Sequence, residues 1–524
     1  MTPPPTAARA ATEPSAPSVP GTISPAAPAL PAPQVCEQAR RSRDPRFDGL
    51  FFTAVLSTRV YCRPVCPAPW AKRVVYFATA AAAEAAGFRP CLRCRPELAP
   101  GEGTWRRGDA VVARALKLID RGFLDEQPVP ALAGRLGIGA RQLRRLFVEH
   151  LGAPPRAVNG TRRLLFAKKL LTETRLPVIE VALASGFGSL RRFNAAFRDA
   201  YRMAPRDLRR RPRGEVHADG DALALRLDYR PPYELGATLD FLRTRAIPGL
   251  EVVDSAGYSR VIAPVAEEGS AEPGWLRVAA APDGERALDL EVRGVPPGRL
   301  LPLVESVRRM FDLDADPLTV GEALAGSDEL RPLLRERPGL RLPGGWDGFE
   351  TAVRAILGQQ VSVGAGRRFA ARLARRFGTH LETPLAPGLE LAFPTPEALA
   401  DADIGAIGLT RARAETVREM ARAVLDGRVD FRAERTLEDF VARWCALPGV
   451  GPWTAHYVAL RTLGHPDAFP AADLVLRRAL ASEPGGALSA RDLRAAAEAW
   501  RPWRAYAVIH LWRQAALGGP MERL

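Results

Sequence analysis

Four of the six cysteines stand close together, as Cys62-x3-Cys66 and Cys91-x2-Cys94, with 24 residues between the pairs. Two close-spaced pairs brought together by the fold between them can surround one zinc ion with four sulfurs, so the pattern reads as metal rather than disulfide. The segment holding them, from Val35 to about Pro100, has two short apolar runs that read as strands, Phe51-Phe52-Thr53-Ala54-Val55 and Val74-Val75-Tyr76-Phe77. So small a unit cannot build a large core, and a bound ion would staple it. Cys36 and Cys445 are left over, and Cys445 reads as a small apolar side chain rather than a nucleophile.

At 524 residues the chain has room for about three or four domains of ~100–200 residues each. It carries 74 Lys and Arg against 59 Asp and Glu, a formal charge of +15 and a pI near 10.2, which favours a polyanionic partner, nucleic acid first. Between Arg141 and Arg213 stand 18 basic against 5 acidic residues, so the polyanion is expected there. No apolar run approaches the ~18 residues of a membrane span, and the N-terminus lacks a basic region followed by an apolar one. The expectation is a cytoplasmic protein without a membrane partner, whose thiols stay reduced and free to bind metal.

Five segments follow from the pattern. Residues 1–34, rich in Pro and Ala, read as a disordered tail. Residues 35–100 hold the cysteines, and 108–212 show helical periodicity (Val112, Leu116, Ile119; Leu164, Leu165, Leu171). Arg213 to Gly220 reads as a linker. Residues 220–312 mix alternating strands, Leu223–Leu227 and Leu288–Val292, with a helix around Leu239–Leu242, and 313–518 are helical again. The fold class expected is multidomain α+β: a small zinc-stapled domain, an all-α DNA-binding unit, an α+β lead-in domain and an all-α C-terminal domain.

The strings Val60-Tyr-Cys62-Arg-Pro-Val-Cys66 and Gly87-Phe-Arg-Pro-Cys91-Leu-Arg-Cys94-Arg-Pro resemble the zinc domain of the Ada family, bacterial sensors of methylated DNA phosphates. The resemblance implies Zn2+ held by Cys62, Cys66, Cys91 and Cys94, with Cys62 as methyl acceptor and Arg89 and Arg93 near DNA. Four thiolates on one divalent cation keep a net charge near −2, so their sulfurs stay nucleophilic. Methylation of one removes a unit charge, worth about 1 to 4 kcal/mol at ~4 Å from another charge, depending on the dielectric. The family's basic residue after the second cysteine is replaced here by Pro67 or Pro69. A zinc that only staples the fold is the alternative.

Two helix-turn-helix patterns follow, Val129 to Phe147 and Val178 to Pro205, the latter containing Gly186-Phe-Gly-Ser-Leu-Arg-Arg-Phe193. Together they resemble the paired DNA-binding domain of AraC-type regulators, which implies that Arg141, Arg144, Arg145, Arg191 and Arg192 face DNA.

The C-terminal region carries Leu447-Pro-Gly449-Val-Gly451-Pro-Trp453, and Asp473 stands 20 residues beyond Trp453. A glycine hairpin running into a helix start aims backbone N–H groups at one spot, a seat for phosphate. This resembles the helix-hairpin-helix DNA glycosylases, and strings such as Tyr229-Arg-Pro-Pro-Tyr233 and Ala355-Ile-Leu-Gly-Gln-Gln-Val361 narrow the resemblance to the AlkA type of 3-methyladenine glycosylase II. It implies Asp473 as the catalytic carboxylate, Trp453, Tyr457 and Trp512 as pocket aromatics, Gln360 or a neighbour as the wedge into the gap of the flipped base, and Gly449 and Gly451 at the phosphate. Asp is also a common helix cap. Leu474 replaces a pocket tyrosine.

Trp453 stands where bifunctional relatives place a Schiff-base lysine, so a monofunctional hydrolase is expected, and there is no C-terminal cysteine cluster for an iron–sulfur centre. No Pro-Cys-His-Arg string is present, so no alkylguanine methyltransferase is expected. The function expected is alkylation repair joined to transcriptional activation: excision of alkylated purines, methyl transfer to Cys62, and binding of alkylated and promoter DNA. The partners are double-stranded DNA and RNA polymerase, and the chain is a monomer. The rival is a regulator whose C-terminal region only grips DNA.

Overall fold

The computed structural model describes residues 30–69, 71–99, 110–120, 122–209, 222–263, 273–282, 285–431, 436–481 and 486–517. The expected tail lies outside these up to residue 29, and its end turns into structure: Pro33 opens a helix, Pro33–Ser42, a position where its missing N–H costs nothing. The expected linker, Arg213 to Gly220, lies outside the described residues.

In the cysteine segment, β1 (Phe52–Val55), β2 (Val60–Cys62), β3 (Val74–Phe77) and β4 (Arg89–Pro90) form one sheet in the order β3-β1-β2-β4. The pairing of β2 with β4 is parallel and sets Tyr61 opposite Pro90. Cys62 and Cys91 therefore leave neighbouring strands side by side, and the Cys91 N–H closes on the Tyr61 carbonyl at 2.9 Å.

The helical region that follows holds two helix-turn-helix pairs, Val129–Arg135 with Ala140–Leu151 and Val178–Ala184 with Leu190–Tyr201. Each second helix is strongly two-faced. Leu143, Phe147 and Leu151, four residues apart, are buried while Arg141, Arg144 and Arg145 are exposed; Phe193, Phe197 and Tyr201 are buried while Arg191 and Arg192 are exposed. The helix Pro155–Glu173 joins the pairs.

The lead-in sheet has five antiparallel strands, β5 (Leu223–Asp228), β6 (Glu251–Val253), β7 (Gly257–Ile262), β8 (Gly274–Ala280) and β9 (Ala287–Arg293), in the order β5-β9-β8-β7-β6. Only β5 and β9 were legible in the sequence. One face of the sheet, with Leu225, Tyr258, Leu276 and Leu290, shares a core with Leu170, Phe193 and Phe197 of the second helix-turn-helix. Val261 and Trp275 pack instead into the core of the C-terminal helices. A strand covered on both faces does not alternate, which is why β7 left no period-two signature.

The C-terminal unit packs Gly348–Leu357, Val363–Phe377, Arg411–Leu425, Leu437–Cys445, Pro452–Leu463 and Arg504–Leu517 around one large core. Its departure from all-α is a two-residue ladder, Thr379–His380 against Leu391–Ala392. Trp444 is fully buried there, its ring stacked on Phe440 at 5.3 Å and tilted against Phe431 at 5.5 Å. Trp444→Ala should lower the unfolding free energy by about 3–5 kcal/mol, the usual cost of an unfilled aromatic cavity. Denaturant titration followed by circular dichroism measures it, and a loss below ~1 kcal/mol would contradict this packing.

Candidate metal centre and aromatic cavity

The four sulfurs of Cys62, Cys66, Cys91 and Cys94 lie within 4.8 Å of one another. Without a cation they oppose one another's ionisation. Hydrogen bonding with Cys62 holds Cys66 and Cys91 low, while hydrogen bonding with Cys66 raises Cys62 and burial raises Cys94. A divalent ion removes that conflict, and four soft sulfurs in a closed cluster suit Zn2+. Backbone N–H groups point at the sulfurs: Arg63 donates to Cys94 Sγ and Arg93 to Cys91 Sγ, both at 3.3 Å. Cys62 and Cys66 line a small cleft with Thr53, Pro64 and Arg40, and Cys91 and Cys94 do not. Cys62 itself is 8% exposed. Of the two arginines expected near DNA, Arg93 is exposed and Arg89 half-buried in β4.

The aromatic cavity, of about 540 Å³, lies between the lead-in domain and the C-terminal helices, and Trp453, Tyr457, Trp512 and Asp473 all line it. The helix Pro452–Leu463 sets Trp453, Tyr457 and Arg461 one turn apart on one face. Trp453 stacks on Tyr457 at 5.2 Å with 17° between the planes, and Tyr457 meets Trp512 at 6.1 Å.

Asp473 is at once a helix cap and a cavity residue. Its Oδ1 accepts from the N–H groups of Val475 and Leu476 at 3.0 and 3.1 Å, capping Leu474–Ala479, and from Trp512 Nε1 at 3.3 Å. Its Oδ2 accepts from Trp453 Nε1 at 2.9 Å. The carboxylate is thereby fixed in direction while Oδ2 keeps a free lone pair. The two readings of an Asp at this position are compatible: the cap is what aims it.

Gln360 is not in the cavity wall. It stands exposed at the turn between Gly348–Leu357 and Val363–Phe377, in the left-handed region at φ 55°, conformational strain of the kind that concentrates at functional loops. Its neighbour Gln359 donates from Nε2 to the Gly449 carbonyl at 3.0 Å and to Thr454 Oγ1 at 2.9 Å, tying that turn to the hairpin. Gly449 has φ 79°, and a Cβ there would fall 2.0 Å from Thr416 Oγ1. Gly451 begins the helix Pro452–Leu463 with no side-chain cap and is exposed, so the first N–H groups are open to a ligand. Leu474 is exposed just beyond Asp473.

Sequence reading missed the guanidinium groups of this cavity. Arg461 Nη1 donates to the Tyr457 hydroxyl at 2.9 Å and its other donors hold the carbonyls of Pro343 and Gly344. Arg245 lies over the Phe241 ring at 3.7 Å, and burial pulls its guanidinium down to about 10. Burial alone would raise the Tyr457 phenol, but Arg461, Arg245 and Arg354 together hold it below its ordinary value. The spacing of Arg461 from Tyr457 was a usable signal; Arg245 and Arg354 come from other elements and left none.

Family models match along the chain in order: the metal-binding domain of Ada over residues 35–97, a helix-turn-helix domain over 132–211, the AlkA N-terminal domain over 224–347, and the HhH-GPD superfamily of base excision DNA repair proteins over 353–503. A Mycobacterium tuberculosis protein, the probable bifunctional transcriptional activator/DNA repair enzyme AlkA, is 40% identical over 484 residues, 91% of this chain and 95% of that one. The chain belongs to this family. DNA-3-methyladenine glycosylase 2 of Escherichia coli is 35% identical over 55% of the chain and 95% of its own length. The activator/repair enzyme Ada of Escherichia coli is 40% identical over 23% of the chain and 33% of its own. As a member of the family, the chain joins a zinc domain and a helix-turn-helix to a DNA glycosylase module, and no helix among its described residues is long and apolar enough to cross a membrane.

Elemental analysis of the purified protein should give one zinc per chain, and Cys91→Ala should lose it, because a three-sulfur remnant of a buried site cannot close the tetrahedron. Gly449→Ala should cost about 1–3 kcal/mol for the left-handed backbone, more with the Thr416 clash, and weaken binding to non-specific duplex DNA. Thermal melts with a DNA titration check both effects; a wild-type melt would show that the hairpin relaxes freely.

Proposed function

We propose that the chain excises alkylated purines of the 3-methyladenine class from DNA by hydrolysis, and that Cys62 takes a methyl group from methylphosphotriesters to turn the same chain into a transcriptional activator. The observation that carries the excision reading is Asp473: a carboxylate aimed by two indole N–H groups into an aromatic cavity, beside a hairpin whose Gly449 leaves no room for a side chain.

Cleavage of an N-glycosidic bond develops positive charge on the sugar. A carboxylate fixed before the reaction stabilises that charge without reorganising and can orient the attacking water. The base must first be flipped out of the stack, and the gap it leaves is to be filled from the Gln360 turn. Stacked rings of Trp453, Tyr457 and Trp512 favour the electron-poor face of an alkylated base. With Trp453 at the hairpin position the enzyme works as a hydrolase without lyase activity. Gly449, Gly451 and the open helix start hold the phosphate.

Bound zinc would keep the four sulfurs as thiolates. The Cys62 sulfur pair attacks the methyl carbon; the S–C bond forms, the C–O bond breaks, and its electrons stay on the phosphate oxygen, restoring the phosphodiester anion. The cleft that opens on Cys62 and Cys66 supports access for a methyl group, and in this reading Arg89 and Arg93 contact the DNA. Loss of one negative charge strengthens binding to promoter DNA, gripped by Arg141, Arg144, Arg145, Arg191 and Arg192 of the exposed second helices. The chain acts as a monomer and recruits RNA polymerase once bound.

One reaction with methylated duplex DNA tests both chemistries. Free 3-methyladenine should appear, Asp473→Asn should slow its release by at least ~100-fold while DNA binding persists, and intact-mass analysis should find one methyl group, on Cys62. No base release by the wild type, with Asp473→Asn behaving the same, would leave a regulator that merely grips DNA, and an unmodified Cys62 would leave a structural zinc.

A further inference from the structure

Arg63 follows Cys62 directly, and everything it touches bears on the cysteine cluster. Its N–H donates to Cys94 Sγ at 3.3 Å and its Nη1 to the Cys94 carbonyl at 3.2 Å, so one residue spans from the end of β2 to the turn of the second cysteine pair. Its other donors go to two carboxylates, Nε to Asp48 at 2.9 Å and Nη2 to Asp228 Oδ2 at 2.9 Å. The three side chains are 9%, 6% and 17% exposed. Asp48 belongs to the zinc domain, but Asp228 is the last residue of β5, in the lead-in domain 165 residues away.

Asp228 is rigidly mounted. It pairs with Ala287 across the sheet, and its carbonyl accepts from Arg308 at 3.4 Å. Two residues on, Arg230 is 1% exposed and donates from Nε to the Asp48 carbonyl at 2.9 Å. The lead-in domain thus holds both ends of the Asp48–Arg63 pair. Lys168, also buried, donates to the Cys91 carbonyl at 3.0 Å and pairs with Glu97. Each carbonyl of the second cysteine pair is met by a buried cation: Arg63, braced by the lead-in domain, and Lys168, supplied by the helix Pro155–Glu173.

We propose that Asp228 is a positioning residue of the cysteine centre: acting through Arg63, it sets the spacing of Cys62 from the Cys91–Cys94 turn, so that the glycosylase half of the chain completes the methyl-acceptor site. Two physical effects lead there. A planar guanidinium held by carboxylates on two sides cannot rotate, so the bonds it makes to Cys94 keep one geometry. A lone cation beside the sulfurs would draw on their electron density; the pair of carboxylates offsets it and leaves the cluster electron-rich at the cleft. Partners that orient metal ligands from outside commonly matter nearly as much as the ligands.

The inference rests on Cys62 being the methyl acceptor, and the test separates the two. Full-length wild type, Asp228→Asn and Asp289→Asn are compared, the last removing a carboxylate from the same sheet that pairs with Arg226 rather than Arg63. Single-turnover methylation of Cys62 by methylphosphotriester DNA, base release from methylated DNA, and the sulfur-to-cobalt absorption band of the Co(II)-substituted proteins are measured. Asp228→Asn should slow saturated methyl transfer about tenfold, leave the half-saturating DNA concentration and base release unchanged, and shift the cobalt band, while Asp289→Asn changes none of these. A wild-type rate and band in Asp228→Asn, or equal slowing in Asp289→Asn, overturns the proposal. Were wild-type Cys62 to take no methyl at all, the acceptor reading alone would fall, and the cobalt band would decide: shifted, Asp228 positions the centre; unshifted, it does not.

Discussion

Helix Pro155–Glu173 buries Lys168, Lys169 and Glu173 along with its apolar residues, and a charge taken out of water costs several kcal/mol unless a partner meets it. Every one of these partners is in another module or serves another. Lys168 meets Glu97 and the Cys91 carbonyl of the zinc domain; Lys169 meets Glu173 and the Arg226 carbonyl of the lead-in sheet; Glu173 also accepts from Arg95 and from the Arg226 N–H. The arrangement is stable only with all parts docked, since separation would strand the charges. Leu164, Phe166, Leu170 and Leu171 add an apolar core shared with the sheet. The zinc domain, the second helix-turn-helix and the lead-in sheet therefore share one interface, and the sheet's other face carries the C-terminal helices.

That continuity gives the two chemistries a common frame. The cysteine cluster and the aromatic cavity are both built where the lead-in domain meets something else, one through Asp228 and Arg230, the other through Arg245 and Glu251. Asp473 shows how economically the cavity is made. Two N–H groups that begin a helix and two indoles that form the cavity wall converge on one carboxylate, so the side chain has no freedom left to lose when a substrate arrives.

How far the sequence could be read depended on whether a residue's environment is local. The exposed arginines of Ala140–Leu151 and Leu190–Tyr201 were legible because helical periodicity alone assigns them to the face opposite Leu143 or Phe193. Trp453, Tyr457 and Asp473 were legible through a resemblance carried by the hairpin string, and they do line one cavity. Strands β6 to β8 were not legible, because a strand covered on both faces loses its alternation and a three-residue strand is too short to show one. Gln360, expected as the wedge into the gap of the flipped base, stands on a strained exposed turn, while the adjacent Gln359 points inward to the hairpin.

By itself the sequence determined the order of the modules, the metal-binding cysteines and the chemistry expected of each part, because these follow from spacing, periodicity and residue type along a short stretch. Only the tertiary structure decided that Cys62 lines an open cleft with Cys66 while Cys91 and Cys94 do not, that Arg63 faces Asp228, and that Arg245, Arg354 and Arg461 surround one phenol. Those are meetings of residues far apart in the chain. No local pattern encodes them, because the energy that fixes them, burial of charges that must find each other, exists only once the modules have packed.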